Sequence, residues 1–510
     1  MPKRPLTRRD FIGQASCAAV GSLGLLSTLL NLRMANSAVA QTLPGGEDYR
    51  ALVCLFFAGG MDSYNLLVPA AATQHAVYTT TRGGIYDAAT NEDGLALPRT
   101  SLLPLAAAAS DPFAFGVHPR AGDHAGTPGI QSLYNAGNLA FLANVGTLVE
   151  PTTKAAYSAS LAKLPRSLYS HSDQVKQWHT SVATDVRRVG WAGLAADLLH
   201  AGNAPDARVS MNISLSGQNL WQTGRSVFNY TISSTGSTLP HDYASPYSAP
   251  VVGATSSTAL RQAARTAAVE SLMQQQHQHL LDQTYAQHTR DSIEGAAAFR
   301  DAFEESLVTT LFPGDANYPY PAGLTATTDP ARNLSQQLKA VVRTIKMRQQ
   351  LGLRRQTFFV SYGGWDHHDE VILSMDTMID VVNRALASYW QALGEIGLQE
   401  QVTLYTASDF ARTLTSNGAG SDHAWGGNAF VLGGAVQGGR VYGEYPDLAL
   451  NGPRVVTSRG ITLPGLAVEE YFAELALWLG VQRHQLADVL PRIGEFYSPG
   501  ATPPVGFMRL

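Results

Sequence analysis

The chain has 510 residues and a formal net charge of −4, and charged residues make up only 15% of it. The weakly negative charge and the absence of basic clusters argue against nucleic acid as a partner. A chain of this length can bury a core large enough to fold without disulfides. The 47 glycines and 26 prolines predict a surface rich in loops.

The N-terminal segment has the pattern of an export signal. Arg8 and Arg9 precede a modestly apolar stretch at residues 18–32, and small residues at 38–40 form a cleavage signature. The sequence therefore predicts a twin-arginine signal peptide over residues 1–40, the twin-arginine export machinery as a partner, and a periplasmic or secreted mature protein. The apolar stretch is shorter than the roughly 20 residues of a spanning helix, so no stable membrane anchor is expected.

Beyond the signal, four continuous apolar runs have the pattern of strands buried on both faces of a parallel sheet. They lie at residues 49–57, 139–145, 357–362 and 402–406, and helical segments precede the last three at residues 130–135, 334–351 and 374–396. Alternating strands and helices predict an α/β fold with a large, mostly parallel central sheet and helices on both faces. Cys54, the one cysteine beyond the signal, lies in the first run, so no intrachain disulfide can form.

Residues 257–308 differ in composition from the rest of the chain. They are rich in Gln, Ala and His and are predicted to be a helical insertion of two helices covering the sheet, whereas the preceding residues 210–258 have the pattern of loops and short strands. Three histidines of the insertion, His277, His279 and His288, could converge on a metal, but a solvated polar helix face is the simpler interpretation. Residues 41–510 are expected to form a single domain.

Three of the predicted strands end in polar clusters, at the edge where open α/β sheets bind their ligands. The clusters GGMDSYN, GGWDHHDE and SDFARTLTSNGAGSDHAWGG supply Asp62 and Ser63, then Asp366, His367 and His368, then Asp409, Arg412, Asp422 and His423. Carboxylates and imidazoles are ligands of zinc and similar divalent ions. Each cluster alone is typical of a helix cap, but the three together predict a shared site for a divalent metal.

A fourth candidate is the segment SLYSHSDQVKQW. Ser170 precedes a predicted helix that runs through Trp178, a position where backbone N–H groups and the helix dipole favour an anion. A plain helix cap is the alternative interpretation. His118, in GVHPRAG, is a weaker candidate.

These segments resemble the bacterial DUF1501 proteins, which are twin-arginine-exported proteins of unknown function in the alkaline phosphatase and sulfatase superfamily. The resemblance covers nearly the whole mature chain. It rests on LVCLFFAGGMDSYNLLVP, VHP, LAFLANVGT, SHSDQ, GGWDHHDE, SDFARTL, SDHAWGGNAFVLGGAVQGG and AVEEYFAELALWLGV. It implies a large central sheet with helices on both faces and a two-metal cluster at the ends of the strands.

The resemblance also implies roles for individual residues. The implied ligands of two ions, about 4 Å apart, are Asp62 and Asp409 for one ion, and Asp366, His367 or His368, and His423 for the other. Ser170, with Ser63 as a rival, would be the nucleophile that attacks a phosphate or sulfate ester. Arg412 would hold the oxyanion as a bidentate donor.

The sequence departs from the superfamily pattern in three places. Phe410 follows Asp409 where these hydrolases usually have a histidine ligand, so that site lacks a ligand unless His171 or His118 supplies it. Ala411 stands where glycine is common, and the C-x-P-x-R setting of formylglycine sulfatases is absent.

The sequence leaves two alternative functions open. The first is a metal-dependent hydrolase of a phosphate or sulfate ester, acting on an anionic substrate or extracellular polymer. The second is a non-catalytic periplasmic binding or assembly protein that retains the fold.

Overall fold

The computed structural model describes residues 48–106, 112–204, 207, 209–237, 280–498, 500 and 502–510, with five further positions between 261 and 271. The predicted signal peptide lies outside these residues, as do His277 and His279. Among the residues described, no helix combines the length and the hydrophobicity needed to cross a bilayer.

Twelve strands are present in the described residues, and nine of them form one central sheet. In chain order the strands are β1 (Arg50–Ala58), β2 (Leu67–Val68), β3 (Leu103–Pro104), β4 (Gly116–Val117), β5 (Leu139–Gly146), β6 (Asn212–Ser214), β7 (Tyr230–Thr231), β8 (Arg355–Gly363), β9 (Val402–Ser408), β10 (Gly427–Gly433), β11 (Val441–Tyr442) and β12 (Leu466–Ala467). The central sheet has the order β11-β5-β10-β9-β1-β8-β6-β7, with β12 also paired to β5, whereas β2, β4 and β3 form a separate small sheet.

The central sheet is mostly parallel, as the sequence predicts. Strand β1 runs parallel to both β8 and β9, while β10 is antiparallel to its two neighbours, β5 and β9. The segment between β9 and β10, residues 409–426, contains no helix. Because no crossover helix carries the chain to the other end of the sheet, β10 runs antiparallel to β9. The long loop between them therefore begins and ends at the same edge of the sheet.

The helices form layers on this sheet. They are α1 (Ala72–Thr81), α2 (Ile130–Asn135), α3 (Lys154–Ser158), α4 (His171–Thr180), α5 (Trp191–Leu199), α6 (Leu280–Glu305), α7 (Arg332–Lys346), α8 (Val371–Glu395), α9 (Val468–Leu479) and α10 (Leu486–Val489). Helix α6 lies within the predicted insertion and includes His288. Helix α7 packs beside β8, and α8 packs on α7.

Strand β1 lies at the centre of the core. Consecutive side chains of a strand point to opposite faces, and every residue from Ala51 to Phe57 is buried, so both faces of the sheet are covered here. On one face, the ring of Phe56 lies 5.2 Å from that of His179 on α4. On the same face, Tyr405 of β9 lies 6.0 Å from Phe472 of α9. This packing fixes α4 against the strands whose ends carry the predicted site.

Candidate metal centre

The candidate site lies at the edge of the sheet where β1, β8 and β9 end. Gly59 and Gly60, directly after β1, have φ of +122° and +84°, values that favour glycine. A Cβ atom on Gly59 would lie 2.6 Å from the backbone nitrogen of Asp366, and one on Gly60 would lie 2.5 Å from a ring carbon of Phe410. The two glycines therefore allow the loops that follow the three strands to contact one another.

Three side chains converge at this edge: His171 from α4, Asp366 after β8, and His423 from the loop before β10. The Nε2 atom of His171 lies 3.4 Å from Oδ2 of Asp366, and the Nε2 atom of His423 lies 3.2 Å from Oδ1 of the same carboxylate. One potential ligand atom from each residue lies within 4.8 Å of the others. This spacing is compatible with three ligands of one metal ion, because each bond to zinc would be about 2.0–2.2 Å long.

Both imidazoles are oriented by a partner on the other ring nitrogen. Nδ1–H of His171 donates to Oδ2 of Asp409 at 2.7 Å, and Nδ1–H of His423 donates to the carbonyl oxygen of Tyr169 at 2.9 Å. Asp409 is buried, and its other oxygen accepts the backbone N–H of Gly59 at 3.1 Å. These bonds assign the proton to Nδ1 and leave Nε2 of each ring as the metal-binding atom.

The protonation states of Asp366 and His423 suit a cation. Partial burial raises the pKa of Asp366, but the hydrogen bond and charge of Arg412 outweigh this effect and hold the pKa below its usual value. Burial lowers the pKa of His423, and the neighbouring Arg412 and His171 lower it further. An ionised carboxylate and a neutral imidazole are the forms that bind divalent metals.

The two adjacent histidines after β8 have different surroundings. His368 is half-exposed, and its Nε2 atom lies 3.1 Å both from Oδ1 of Asp366 and from Nε2 of His423. Its Nδ1 atom lies 3.4 Å from Asp422. His367 is buried, and its Nδ1 atom has no partner among the described residues. Of the two histidines between which the sequence could not choose, the structure places His368 beside the cluster.

Arg412 is completely buried, and it joins the three loops at the strand ends. Its guanidinium donates to four backbone carbonyls and to the carboxylate of Asp366, the carbonyls being those of Gly59, Gly60, Trp365 and Ser421. The oxyanion role predicted from the sequence would need donors that face a substrate. In this structure Arg412 instead positions Asp366 and the turn after β1.

Asp62 and Ser63, predicted as a ligand and as a rival nucleophile, lie in the interior outside this cluster. Asp62 is completely buried, and one of its oxygens pairs with the guanidinium of Arg82, which also donates to the carbonyl of Thr413 at 3.3 Å. Ser63 is buried, and its hydroxyl oxygen accepts the backbone N–H of Asn428 at 2.7 Å. Both residues hold neighbouring segments together below the site.

Ser170, the predicted nucleophile, is the N-cap residue of α4 and directly precedes His171. Its hydroxyl donates to Oδ2 of Asp173 at 2.8 Å and does not cap the backbone. The residue before it, Tyr169, has a φ of +75°, a strained value for a side chain other than glycine. The same residue supplies the backbone carbonyl that accepts the hydrogen bond from His423.

Some residues of the site have little or no signal in the sequence. The sequence predicts His171 only as a possible substitute ligand, yet it lies at the centre of the cluster. His118, the other substitute, is not one of the three converging residues; it is buried, its Nδ1 accepts the N–H of Arg120 at 3.2 Å, and burial lowers its pKa to about 4. The carbonyl of Tyr169 and the pairing of Arg82 with Asp62 have no signal in the sequence.

Together these features define an α/β protein with a candidate metal centre at the edge of its central sheet. The family model described as "Protein of unknown function (DUF1501)" matches residues 49–458. The chain therefore belongs to the DUF1501 family. A search of curated proteins finds no match.

Proposed function

We propose that this DUF1501 protein is a hydrolase of phosphate or sulfate esters that uses a single divalent metal, with zinc as the first candidate. The observation that carries the proposal is the convergence of His171, Asp366 and His423 with Nδ1 of both imidazoles already engaged. Two nitrogen ligands and one oxygen ligand, with room for a further ligand, form the kind of set found in catalytic zinc sites. The three side chains are 36%, 45% and 24% exposed, so a substrate can reach them.

A divalent ion held by these residues would supply a Lewis acid that polarises the oxygens of a bound ester. The protein's own groups would provide the proton transfers. Ser170, next in the chain to His171, is the proposed nucleophile, and its hydroxyl proton already points to the carboxylate of Asp173. His368, half-exposed beside Asp366, is the proposed donor of a proton to the leaving oxygen.

The proposal is for one ion and not for two. Asp62, which the family resemblance assigns to a second ion, is neutralised by the buried guanidinium of Arg82. The ring of Phe410, which stands where a further histidine ligand is usual, packs 4.7 Å from the ring of His171 and 4.4 Å from that of His423. These contacts also favour the second candidate function, a non-catalytic binding or assembly protein that keeps one metal site.

Metal content and turnover of the purified mature protein test the proposal. We expect about one zinc-type ion per chain and turnover of 4-nitrophenyl phosphate or sulfate. His171→Ala should lose both, whereas the exposed His200→Ala should lose neither. One ion per chain with no turnover of any ester would favour the binding protein, and a folded wild-type protein that takes up no metal would contradict the metal centre itself.

A further inference from the structure

Two loops flank α4, the helix whose first residue is His171. We refer to residues 159–169 and 182–188 as the rim loops. The backbone N–H of Arg166 in the first loop donates to the carbonyl of Ala183 in the second at 2.9 Å, so the two loops lie side by side. The first loop ends at Tyr169, whose carbonyl holds His423. The first rim loop therefore reaches the site at its last residue, and the second, which follows the C-terminal end of α4, joins the first at Arg166.

The rim loops expose three large aliphatic side chains. Leu161 is 77% exposed, Leu164 is 44% exposed and Val186 is 51% exposed. A single exposed leucine on a protein surface is ordinary. Three of them on two loops joined by a backbone hydrogen bond are apolar side chains that the described residues do not cover.

The same loops are cationic although the whole chain has a net charge of −4. They contain four basic residues, Lys163, Arg166, Arg187 and Arg188, and one acidic residue, Asp185. The contacts of Lys163 with Glu150 and of Arg187 with Asp185 are long, at 3.3 and 3.6 Å, and exposed. Arg166 and Arg188 are exposed and form no ion pair with the described residues. The rim therefore presents the positive charges of Arg166 and Arg188, which no described residue neutralises.

We propose that the rim loops bind an anionic lipid surface and bring the candidate metal centre against its headgroups. Aliphatic side chains can enter the boundary between headgroups and acyl chains while adjacent cationic side chains contact the phosphates. Protein interfaces concentrate aromatic residues, whereas the rim loops have no exposed aromatic side chain. Such contact is reversible, in keeping with the expected absence of a membrane anchor.

The lipid contact also specifies a substrate class for the proposed hydrolase, and this inference about the substrate rests on the proposed function. A site held at a lipid surface meets phosphate or sulfate esters in headgroups, which the rim would bind through their negative charge. Arginine suits this task because its planar guanidinium pairs with two oxygens of a phosphate or sulfate group. The substrate is therefore a headgroup ester of an anionic lipid.

Vesicle sedimentation tests the lipid contact. The mature protein should sediment with vesicles of phosphatidylglycerol and phosphatidylethanolamine and stay in solution with vesicles of phosphatidylcholine. Binding should weaken as NaCl is raised from about 0.1 to 0.5 M, because exposed charges are screened. Equal binding to both kinds of vesicle, or no binding to either, would overturn the proposal.

Substitutions assign the contact to the rim. Leu161→Ser with Leu164→Ser, and separately Arg166→Gln with Arg188→Gln, should each weaken vesicle binding about tenfold while thermal unfolding stays unchanged. Leu307→Ser, at a leucine 63% exposed elsewhere, and the exposed Arg225→Gln are the matched controls and should bind as the wild type does. If wild type self-associates and binds no vesicle, and the leucine pair abolishes that self-association, the surface is an interface between copies of this chain and the lipid proposal is wrong.

The two proposals can fail separately. His171→Ala lacks a proposed ligand but keeps the rim, so it should bind vesicles normally while releasing no phosphate from phosphatidic acid. The leucine pair should keep turnover of soluble 4-nitrophenyl phosphate and lose most turnover of phosphatidic acid in mixed vesicles. Vesicle binding without turnover of either substrate would refute the ester hydrolase and leave the lipid contact standing.

Discussion

Asp409 is the residue on which the orientation of His171 depends. Its carboxylate accepts Nδ1–H of His171 at 2.7 Å on one oxygen and the N–H of Gly59 at 3.1 Å on the other. A metal ligand of the imidazole type is commonly held by a carboxylate in this way, which fixes its tautomer and raises its basicity. Asp409, directly after β9, therefore supports the candidate centre indirectly, by holding His171 with its Nε2 free to bind a metal.

Asp409→Asn should lower metal affinity about 10–100-fold without unfolding the protein. The amide can still accept one hydrogen bond, but it lacks the negative charge that makes His171 a better ligand. Titration of the metal-free protein with Zn²⁺ measures the effect, and thermal unfolding checks the fold. Asp93→Asn, at an exposed carboxylate outside the site, is the control. Unchanged affinity in Asp409→Asn would show that the pair with His171 has no part in metal binding.

At single residues, the sequence identifies ligand types better than ligand positions. The motif after β8 predicts acidic and imidazole groups at the sheet edge, but which of His367 and His368 faces the cluster depends on the local backbone. The neutralisation of Asp62 by Arg82 depends on where α1 places residues 20 positions away along the chain. Such contacts arise from tertiary packing, so local spacing does not encode them.

At the scale of elements, the turn after β1 is limited by close packing against its neighbours. Gly59→Ala would combine a positive φ with a Cβ atom 2.6 Å from the backbone nitrogen of Asp366, which cannot move without disturbing the cluster. We expect a loss of roughly 2–4 kcal/mol in the free energy of unfolding. Gly126→Ala, where φ is +82° and no described residue beyond the two adjacent ones has an atom within 4 Å of the added Cβ, shows the cost of the backbone alone, about 1 kcal/mol. If denaturant unfolding showed equal losses of unfolding free energy for Gly59→Ala and Gly126→Ala, the close-packing argument would be wrong.

Helix α9 carries a buried carboxyl that should make stability depend on pH. Glu469 is completely buried, neither of its oxygens has a partner among the described residues, and burial raises its pKa to about 8. In the unfolded chain the group ionises near pH 4.5. The folded state thus retains a proton that the unfolded state loses, so stability falls as pH rises from about 4.5 to 8.

Glu469→Gln removes this titration and keeps the shape of the side chain. Between pH 5 and pH 9 the wild type should lose up to roughly 4 kcal/mol more unfolding free energy than the variant. Denaturant unfolding at both pH values measures the difference. Glu495→Gln, at a side chain that is 52% exposed, is the control and should show the same pH dependence of unfolding free energy as the wild type. Parallel pH profiles for Glu469→Gln and wild type would contradict the assignment.

The long, uniformly apolar strands are the elements that the sequence predicts best. The four predicted strands are all present, each within two residues of its expected ends, because burial on both faces leaves a continuous apolar run. The sequence does not predict strand β10, because glycine and asparagine interrupt its start and no helix separates it from β9. Strands of two or three residues, such as β6 and β12, carry no periodic signal and form only because longer neighbours offer free edges.

At the scale of the whole molecule, the core requires no covalent link. Cys54 is the one cysteine beyond the predicted signal, and it is buried in β1, where burial raises its pKa to about 12. A buried thiol with such a pKa is unreactive. Because a single cysteine forms no intrachain disulfide, folding of the mature chain does not require an oxidising compartment. This property agrees with the predicted twin-arginine route, which carries proteins that are already folded and can already hold a metal.

Replacing Arg8 and Arg9 together by lysine should therefore stop export. We expect the precursor to accumulate in the cytoplasm, folded and with the same metal content as the exported wild type, because the change lies in the predicted signal peptide. Cell fractionation with detection of the mature chain measures the distribution, and protease resistance of the retained precursor reports its folding. Arg4→Lys, which keeps the arginine pair, should be exported normally. Export that survives the double substitution would show that residues 1–40 are not a twin-arginine signal. A retained precursor that is unfolded would refute folding before transport.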